Sequence, residues 1–279
     1  MYIYINGEII ESNQAKISPF DHGFLYGLGL FETMRTYNGK LFLLHEHITR
    51  LQKSLKTVNI LAWKYYSRDI QDICDKLLSA NRLDEAYVRL NVSAGMGEIG
   101  LQATPYETPT TIMFMKPLPK TNHLEKEGVI LNIPRNTPEG SFRMKSHHFL
   151  NNILAKQEVG ADMSKEGIFF TKEGYLAEGV VSNIFFVKNE KIFTPSIDTG
   201  ILDGITRDFI FTILDDISWE YKEGFYKKEE LLSADEVFVT NSVQGIVPIG
   251  RIGDRIYKDR DITEMLIKRY ERATRENAG

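Results

Sequence analysis

The chain opens on an alternation of apolar and polar positions. Met1 to Ile10 alternates on either side of Asn6-Gly7, a dipeptide suited to a tight turn, so a β-hairpin is expected there. Ser18 to Glu32 reads as a glycine-punctuated loop. Two further strands follow, Thr33–Tyr37 and Lys40–Leu44, joined across Asn38-Gly39. Helical spacing then takes over. Ile48, Leu51, Leu55 and Val58 form one stripe, which predicts a helix over His45–Val58 with Arg50 and Lys53 leaving on other faces. A second helix is expected over Ser67–Ala80, and strands over Ala86–Ala94 and Thr110–Met115.

Residues 116–126 hold Pro117 and Pro119 and little apolar content, and read as a linker. Beyond it the pattern predicts a strand over Val129–Ile133, then a helix after Lys145 with Phe149, Leu150, Ile153 and Leu154 on its inner side. Val180–Val187 and Ile192–Thr194 are rich in β-branched and aromatic residues and predict strands. Phe209, Ile210, Ile213 and Leu214 predict a helix opening near Gly204. Strands over Glu236–Thr240 and Ile246–Ile249 precede a charged amphipathic helix, Ile262–Ala273. The expected division is an α+β unit at 1–115, a linker at 116–126 and a second unit at 127–279.

Composition narrows the class without naming it. The 279 residues are 42% apolar and 26% charged, as in ordinary globular chains. A net charge of −4 argues against nucleic acid or an anionic membrane as partner, so any bound anion must be held by local donors. The lone Cys74 excludes an internal disulfide and a cysteine-rich metal site; with Ile70, Ile73, Leu77 and Leu78 it reads as a buried structural thiol. With no basic leader and no run of roughly 18 apolar residues, a cytoplasmic protein is expected.

Several residues carry candidate chemistry. Gly95-Met-Gly-Glu-Ile-Gly100 spells a dinucleotide fingerprint, but the prolines and threonines after it cannot start the helix that such a site needs. His45 and His47 face apart on a helix and His147-His148 diverge, so no metal site is expected. Glu178 stands at the mouth of an otherwise apolar strand, where a carboxylate needs a partner or a task. Gly200 and Gly204 lead into a helix whose first N–H groups offer an anion site. Lys145 precedes a helix on the approach to the interior, and Arg50 is placed to grip a phosphate with both prongs of its guanidinium. An anion cradle, an acid and a lysine together suit a cofactor such as pyridoxal phosphate.

These residues resemble a known family. Lys145, Leu-Ala-Glu178-Gly-x-x-Ser-Asn183-Ile-Phe, Thr-Pro195, Gly-Ile-Leu-x-Gly-Ile-Thr-Arg207 and Thr-Asn-Ser242 before Ile-Val-Pro248 are similar to the fold-type IV pyridoxal-phosphate enzymes, which include the class IV aminotransferases. So are Gly-x-Gly-Leu-Phe-Glu32-Thr33-x-Arg35 and His47-Ile-x-Arg50-Leu. The resemblance implies a two-domain α+β homodimer, with a small N-terminal α/β sandwich and a larger, barrel-like C-terminal domain. It implies Lys145 as the lysine bonded to pyridoxal 5'-phosphate, Glu178 on the ring nitrogen, and Arg50, Ile205, Thr206 and Ser242 around the phosphate, with Asn241 also binding the cofactor.

Within the superfamily, Thr33 after Phe31-Glu32 and Asn241 resemble the aminodeoxychorismate lyase branch. That implies conversion of 4-amino-4-deoxychorismate to 4-aminobenzoate and pyruvate. Lys145 and Thr33 would be catalytic, and Arg35, Arg89 and Asn241 would meet the substrate. Branched-chain or D-amino-acid transamination is the alternative on the same scaffold, and a non-catalytic anion-binding protein the alternative from another class. Leu28, His22 and His148 stand where the family often has Asp, Arg and Asn, and Phe149 offers the cofactor no phenol.

Overall fold

The asparagine–glycine pairs at 6–7 and 38–39 both become turns, with every one of the four residues at positive φ. In the computed structural model, which describes residues 1–61, 65–118 and 125–276, the chain forms two units. The first takes the described residues of Met1–Pro119, Met144–His148 and Thr274–Gly279; the second takes those of Lys120–Arg143 and Phe149–Ala273. Of the expected linker, Lys116 and Pro117 end one strand and Lys126 opens the next, while residues 119–124 lie outside the described residues.

The first unit runs β1 (Tyr2–Ile5), β2 (Glu8–Glu11), α1 (His22–Tyr26), β3 (Gly29–Tyr37), β4 (Lys40–Leu41), α2 (Leu44–Thr57), α3 (Ser67–Asn81), β5 (Ala86–Ser93) and β6 (Thr110–Pro117). Its antiparallel sheet has the order β2-β1-β6-β5-β3-β4. Leu30, Met34, Val88, Leu90, Met113 and Met115 line one face and pack with Ile48, Leu51 and Leu55 of α2 and Ile70, Cys74 and Leu77 of α3. Burial pushes the Cys74 thiol up to about 12, which makes it an inert core group. Strand alternation puts Phe31, Thr33 and Arg35 on the opposite face, with Arg89 directly across from Thr33. The glycine-rich loop also holds more order than expected. Asp21 caps α1 by accepting from the Gly23 N–H at 2.7 Å, and β3 starts as early as Gly29. The strand expected over Lys40–Leu44 is shorter, because Leu43 at φ +53 turns the chain into α2.

The second unit runs β7 (Lys126–Ile130), α4 (Leu150–Val159), β8 (Lys165–Phe170), β9 (Leu176–Gly179), β10 (Asn183–Lys188), β11 (Lys191–Pro195), α5 (Ile205–Asp216), β12 (Tyr221–Gly224), α6 (Lys228–Leu232), β13 (Glu236–Asn241), β14 (Gly245–Ile252), β15 (Arg255–Ile256) and, as far as Ala273, α7 (Asp261–Glu276). The strands form one sheet in the order β12-β11-β10-β13-β14-β7-β8-β9, with β15 on β14. The sheet curls until its far strand meets the other end. Leu176 donates its N–H to Tyr226 O at 2.8 Å, and Gly179 donates to Ser182 O at 2.7 Å, which gives the barrel-like form. Ile168, Ile184, Phe186, Val237, Val239 and Val247 fill one side of it, while Phe169, Ala177, Val180 and Ala155 pack on the other. Burial on both faces explains why these strands read as unbroken apolar runs.

Three expectations are corrected here. On α4 the buried residues are Asn152 and Ala155, whereas Leu150, Ile153 and Leu154 are 66%, 49% and 42% exposed. Asn152 donates to Val180 O at 2.6 Å, so a polar anchor and a small residue set the inner face and turn the apolar stripe outward. The strand expected over Val129–Ile133 instead begins at Lys126, whose charge is paired inside the unit with Glu166. Nor is Val180–Ser182 part of a strand: it forms a bend, and β10 starts at Asn183. Among the described residues no helix is long and apolar enough to cross a membrane. Leu90 is fully buried at the centre of the first unit's sheet, so Leu90→Ala should lower the unfolding free energy by about 2–5 kcal/mol in urea titrations, with the fold retained.

Candidate active site

β3 carries chemistry on both faces. On its helix-facing side Glu32 is buried and receives three hydrogen bonds. His47 Nδ1 lies 2.7 Å from Oε2, while Arg50 donates Nε to Oε1 at 2.9 Å and Nη2 to Oε2 at 2.6 Å. Burial alone would raise the Glu32 carboxyl, but Arg50 and His47 reverse that and hold it at about 2. Burial pushes His47 down despite the attraction of Glu32, and the charges of Arg50 and Lys145 add to the effect. Glu32 thus takes the Nε–Nη2 edge of Arg50, and a guanidinium carries a second pair of parallel N–H groups on its Nη1–Nη2 edge.

Lys145 belongs to this unit. Its carbonyl accepts from Phe31 N at 2.9 Å, Ser146 bridges Leu30, and His147 N donates to Gly29 O at 2.9 Å. The segment thus adds to the edge of β3 that the short β4 does not reach. Lys145 Nζ stands 4.7 Å from the centre of the Phe31 ring, and the Arg89 guanidinium carbon 3.7 Å from it. Arg89 donates Nε to Asn91 Oδ1 at 2.8 Å, and burial lowers its pKa. Arg35 is paired with Glu85 at 3.1 Å and stacked 4.2 Å over Tyr37. Thr33 lies on the same face of β3 as Arg35, directly opposite Arg89 in register. Burial, then Arg89, drives His147 down to about 4, so it is neutral at ordinary pH. His22 and His148, two of the departures from the family pattern, are held by Tyr106 and by the Tyr26 carbonyl respectively. Among the described residues no three His, Cys, Asp or Glu side chains form a group able to hold a metal ion.

In the second unit Glu178 lies within β9, nearly closed to solvent. Its Oε1 accepts from Arg135 Nε at 2.8 Å with Arg143 Nε at 3.8 Å, and its Oε2 accepts from Leu202 N at 3.0 Å. Arg135 is fixed in turn by Asn151 and Asn152, whose Oδ1 atoms accept from Nη1 at 2.8 and 3.1 Å. Burial and the nearby Arg135 lower Arg143 to about 10, with Glu178 opposing. A carboxylate has about four lone-pair positions, so one acceptor position remains on each Glu178 oxygen after these bonds.

The anion cradle stands in the same unit. Gly204 precedes α5 with no side-chain cap, leaving the first-turn N–H groups at Ile205 and Thr206 to face an incoming anion. A Cβ at Gly204 would sit 1.9 Å from Asn183 Oδ1, and Asn183 Nδ2 donates to Leu202 O at 2.9 Å, so only glycine fits. Thr206 Oγ1 is 3.4 Å from Ser242 Oγ. Ser242 rides the turn between β13 and β14, where Asn241 Oδ1 accepts from Val243 N at 3.0 Å and Gln244 N at 2.8 Å. The Asn241 oxygen is thus engaged in the turn. Behind it, buried Arg207 anchors α5 by donating to Pro195 O at 3.0 Å and pairing with Glu223.

The first unit therefore holds Lys145, Thr33, Arg35, Arg89 and Arg50, the last with Glu32 and His47 on the other face of β3 from Thr33 and Arg35; the second holds Glu178, Ile205, Thr206, Asn241 and Ser242, with Arg135, Leu202 and Asn183. Arg135 escaped the sequence reading. It sits in a polar loop whose pattern matches any exposed loop, and only the fold shows that its charge turns inward.

The family model described as amino-transferase class IV matches residues 29–252, and the chain belongs to that family. Aminodeoxychorismate lyase of Bacillus subtilis (strain 168) is 50% identical over 258 residues, 91% of this chain and 88% of that protein. Among solved structures, the branched-chain aminotransferase of Thermoproteus uzoniensis with norvaline superposes with a TM-score of 0.87 at 26% identity, covering 98% of this chain and 94% of that one. The T.th. branched-chain amino acid aminotransferase with pyridoxamine 5'-phosphate gives 0.85 at 25% identity, covering 98% and 93%. The residues present fit pyridoxal 5'-phosphate: the first unit offers an amine on an aromatic platform, and the second offers a buried, arginine-paired carboxylate and an uncapped helix start with two hydroxyls beside it.

The depressed Glu32 carboxyl makes the first unit sensitive to acid. Its folded pKa of about 2 lies below the ordinary 4.5, so its contribution is complete above 4.5 and is lost as pH falls toward 2. Denaturant titrations across that window should show a loss on the order of 3 kcal/mol that is missing from Glu32→Gln, whose starting stability is lower.

Proposed function

We propose that this chain is a pyridoxal-phosphate lyase that converts 4-amino-4-deoxychorismate to 4-aminobenzoate and pyruvate, acting as a cytoplasmic homodimer. The observation that carries the reading is the 50% identity with the Bacillus subtilis aminodeoxychorismate lyase over 91% of the chain. The site residues support it chemically.

In this reading Lys145 would hold the cofactor at its aldehyde end, Glu178 would face the ring nitrogen, and Arg50, Ile205, Thr206 and Ser242 would hold the phosphate, with Asn241 also at the cofactor. When bound, the cofactor supplies the electron sink that makes the C4 proton of the substrate removable. Lys145, when neutral, would take that proton as general base. Thr33 passes a proton to the departing enolpyruvyl group, and aromatisation drives the step. Arg89 is the stronger candidate for a substrate carboxylate, because its Nε is held by a neutral amide, whereas Arg35 already shares its charge with Glu85. Asn241 and Arg35 complete the substrate set.

The rival on the same scaffold is a branched-chain or D-amino-acid aminotransferase, favoured by the 0.87 TM-score with the Thermoproteus uzoniensis enzyme. Incubation with 4-amino-4-deoxychorismate should release 4-aminobenzoate and pyruvate in equal amounts; glutamate formed from an amino acid and 2-oxoglutarate, without 4-aminobenzoate, would establish the rival. Lys145→Ala should lose the visible band of the bound cofactor and roughly a thousandfold or more in kcat. Thr33→Val should lose about a hundredfold in kcat with cofactor affinity unchanged. Sedimentation should give twice the 32.0 kDa chain mass.

A further inference from the structure

Behind the turn that carries Ser242 lies an ion pair that the reaction above does not use. Lys126, the first residue of β7, and Glu166 in β8 are only 7% and 3% exposed. Lys126 Nζ donates to Glu166 Oε2 at 2.9 Å. Desolvating two charges costs more than their attraction returns unless their remaining hydrogen-bonding positions are filled. Where those positions point is therefore informative.

They point in two directions. Lys126 Nζ also donates to Gln244 Oε1 at 3.1 Å. Gln244 closes the turn that begins at Asn241: its N–H donates to Asn241 Oδ1 at 2.8 Å, and Asn241 Nδ2 donates back to Gln244 Oε1 at 3.3 Å. On the other side, Glu166 Oε1 accepts from Ser182 Oγ at 2.9 Å. Ser182 lies in the bend between the Glu178 strand and β10. The backbone there is pressed against the pair, since a Cβ on Gly179 would fall 2.1 Å from Ser182 Oγ and 2.6 Å from Glu166 Oε1. One buried pair thus touches both the turn bearing Ser242 and the bend that follows Glu178.

We propose that Lys126 and Glu166 form a strut that fixes the spacing between the Ser242 turn and the Glu178 strand, and so act as positioning residues for the two ends of the cofactor. This rests on assigning the phosphate to Ser242 and Thr206 and the ring nitrogen to Glu178. An ion pair that merely supported the barrel would affect folding; the strut must also affect how the cofactor is held.

The experiment separates these by choosing what each variant breaks. Gln244→Leu keeps the ion pair and cuts its link to the turn. Lys126→Met strands a buried carboxylate, and Lys126→Met with Glu166→Gln removes that penalty while leaving the link cut. For each, we would measure the dissociation constant of pyridoxal 5'-phosphate, the 31P resonance of its bound phosphate, and the unfolding midpoint of the cofactor-free protein. The strut predicts a dissociation constant raised roughly tenfold and a shifted 31P resonance in both Gln244→Leu and the double variant. It also predicts a near-normal midpoint in Gln244→Leu and one in the double variant recovered relative to Lys126→Met. Wild-type affinity and an unmoved resonance in Gln244→Leu and the double variant would overturn the strut. A wild-type protein that takes up no pyridoxal phosphate would instead overturn the cofactor reading itself, and the strut with it.

Discussion

The pairing of Glu178 with Arg135 is the constraint around which the second unit is arranged. A carboxylate deep in an apolar barrel is tolerable only when paired and hydrogen-bonded. Arg135 satisfies it at 2.8 Å, and the Leu202 N–H satisfies its other oxygen at 3.0 Å. Those requirements propagate. Arg135 has to be held by Asn151 and Asn152, which explains why α4 turns a polar anchor inward and its leucines outward. Leu202 has to be held by Asn183, which leaves no room for a side chain at Gly204 and leaves α5 without a side-chain cap. One buried charge thus connects the acid, the loop and the anion cradle.

The first unit uses the same device with the signs exchanged. There a buried glutamate, Glu32, immobilises the Arg50 cation and keeps His47 beside it. The opposite face of the same strand carries Phe31, whose ring gathers Lys145 and Arg89. Two adjacent residues of β3 therefore organise two separate pieces of chemistry, because strand alternation sends them to opposite faces. In both units a buried partner occupies one edge of the functional group and so sets the direction in which the other edge points.

How much of this was legible in the residues depends on distance along the chain. Local signals were reliable. Asn6-Gly7 and Asn38-Gly39 became turns, the stripe of Ile48, Leu51 and Leu55 became the inner face of α2, and Cys74 went to the core. Multi-residue motifs around Lys145, Glu178 and Thr206 were enough to indicate the family. Partnerships between distant residues were not legible. Nothing near Arg135 announces Glu178, which lies beyond α4 and β8, and nothing near Arg50 announces Glu32, which sits on another element. Lys126 was assigned to a linker because its charge hides the strand it opens. The outward stripe on α4 misled for a related reason: periodicity locates a face but does not say what that face packs on.

The central claim, that of the proposed function, is that Glu178, fixed by Arg135, keeps a proton on the ring nitrogen of the cofactor. Nitrogen-15 NMR of the protein loaded with ring-labelled pyridoxal phosphate tests it directly. The structure predicts a protonated ring nitrogen at neutral pH that reverts to the unprotonated position in Glu178→Gln. An unprotonated nitrogen in the wild-type protein, or a resonance identical in both, would contradict it.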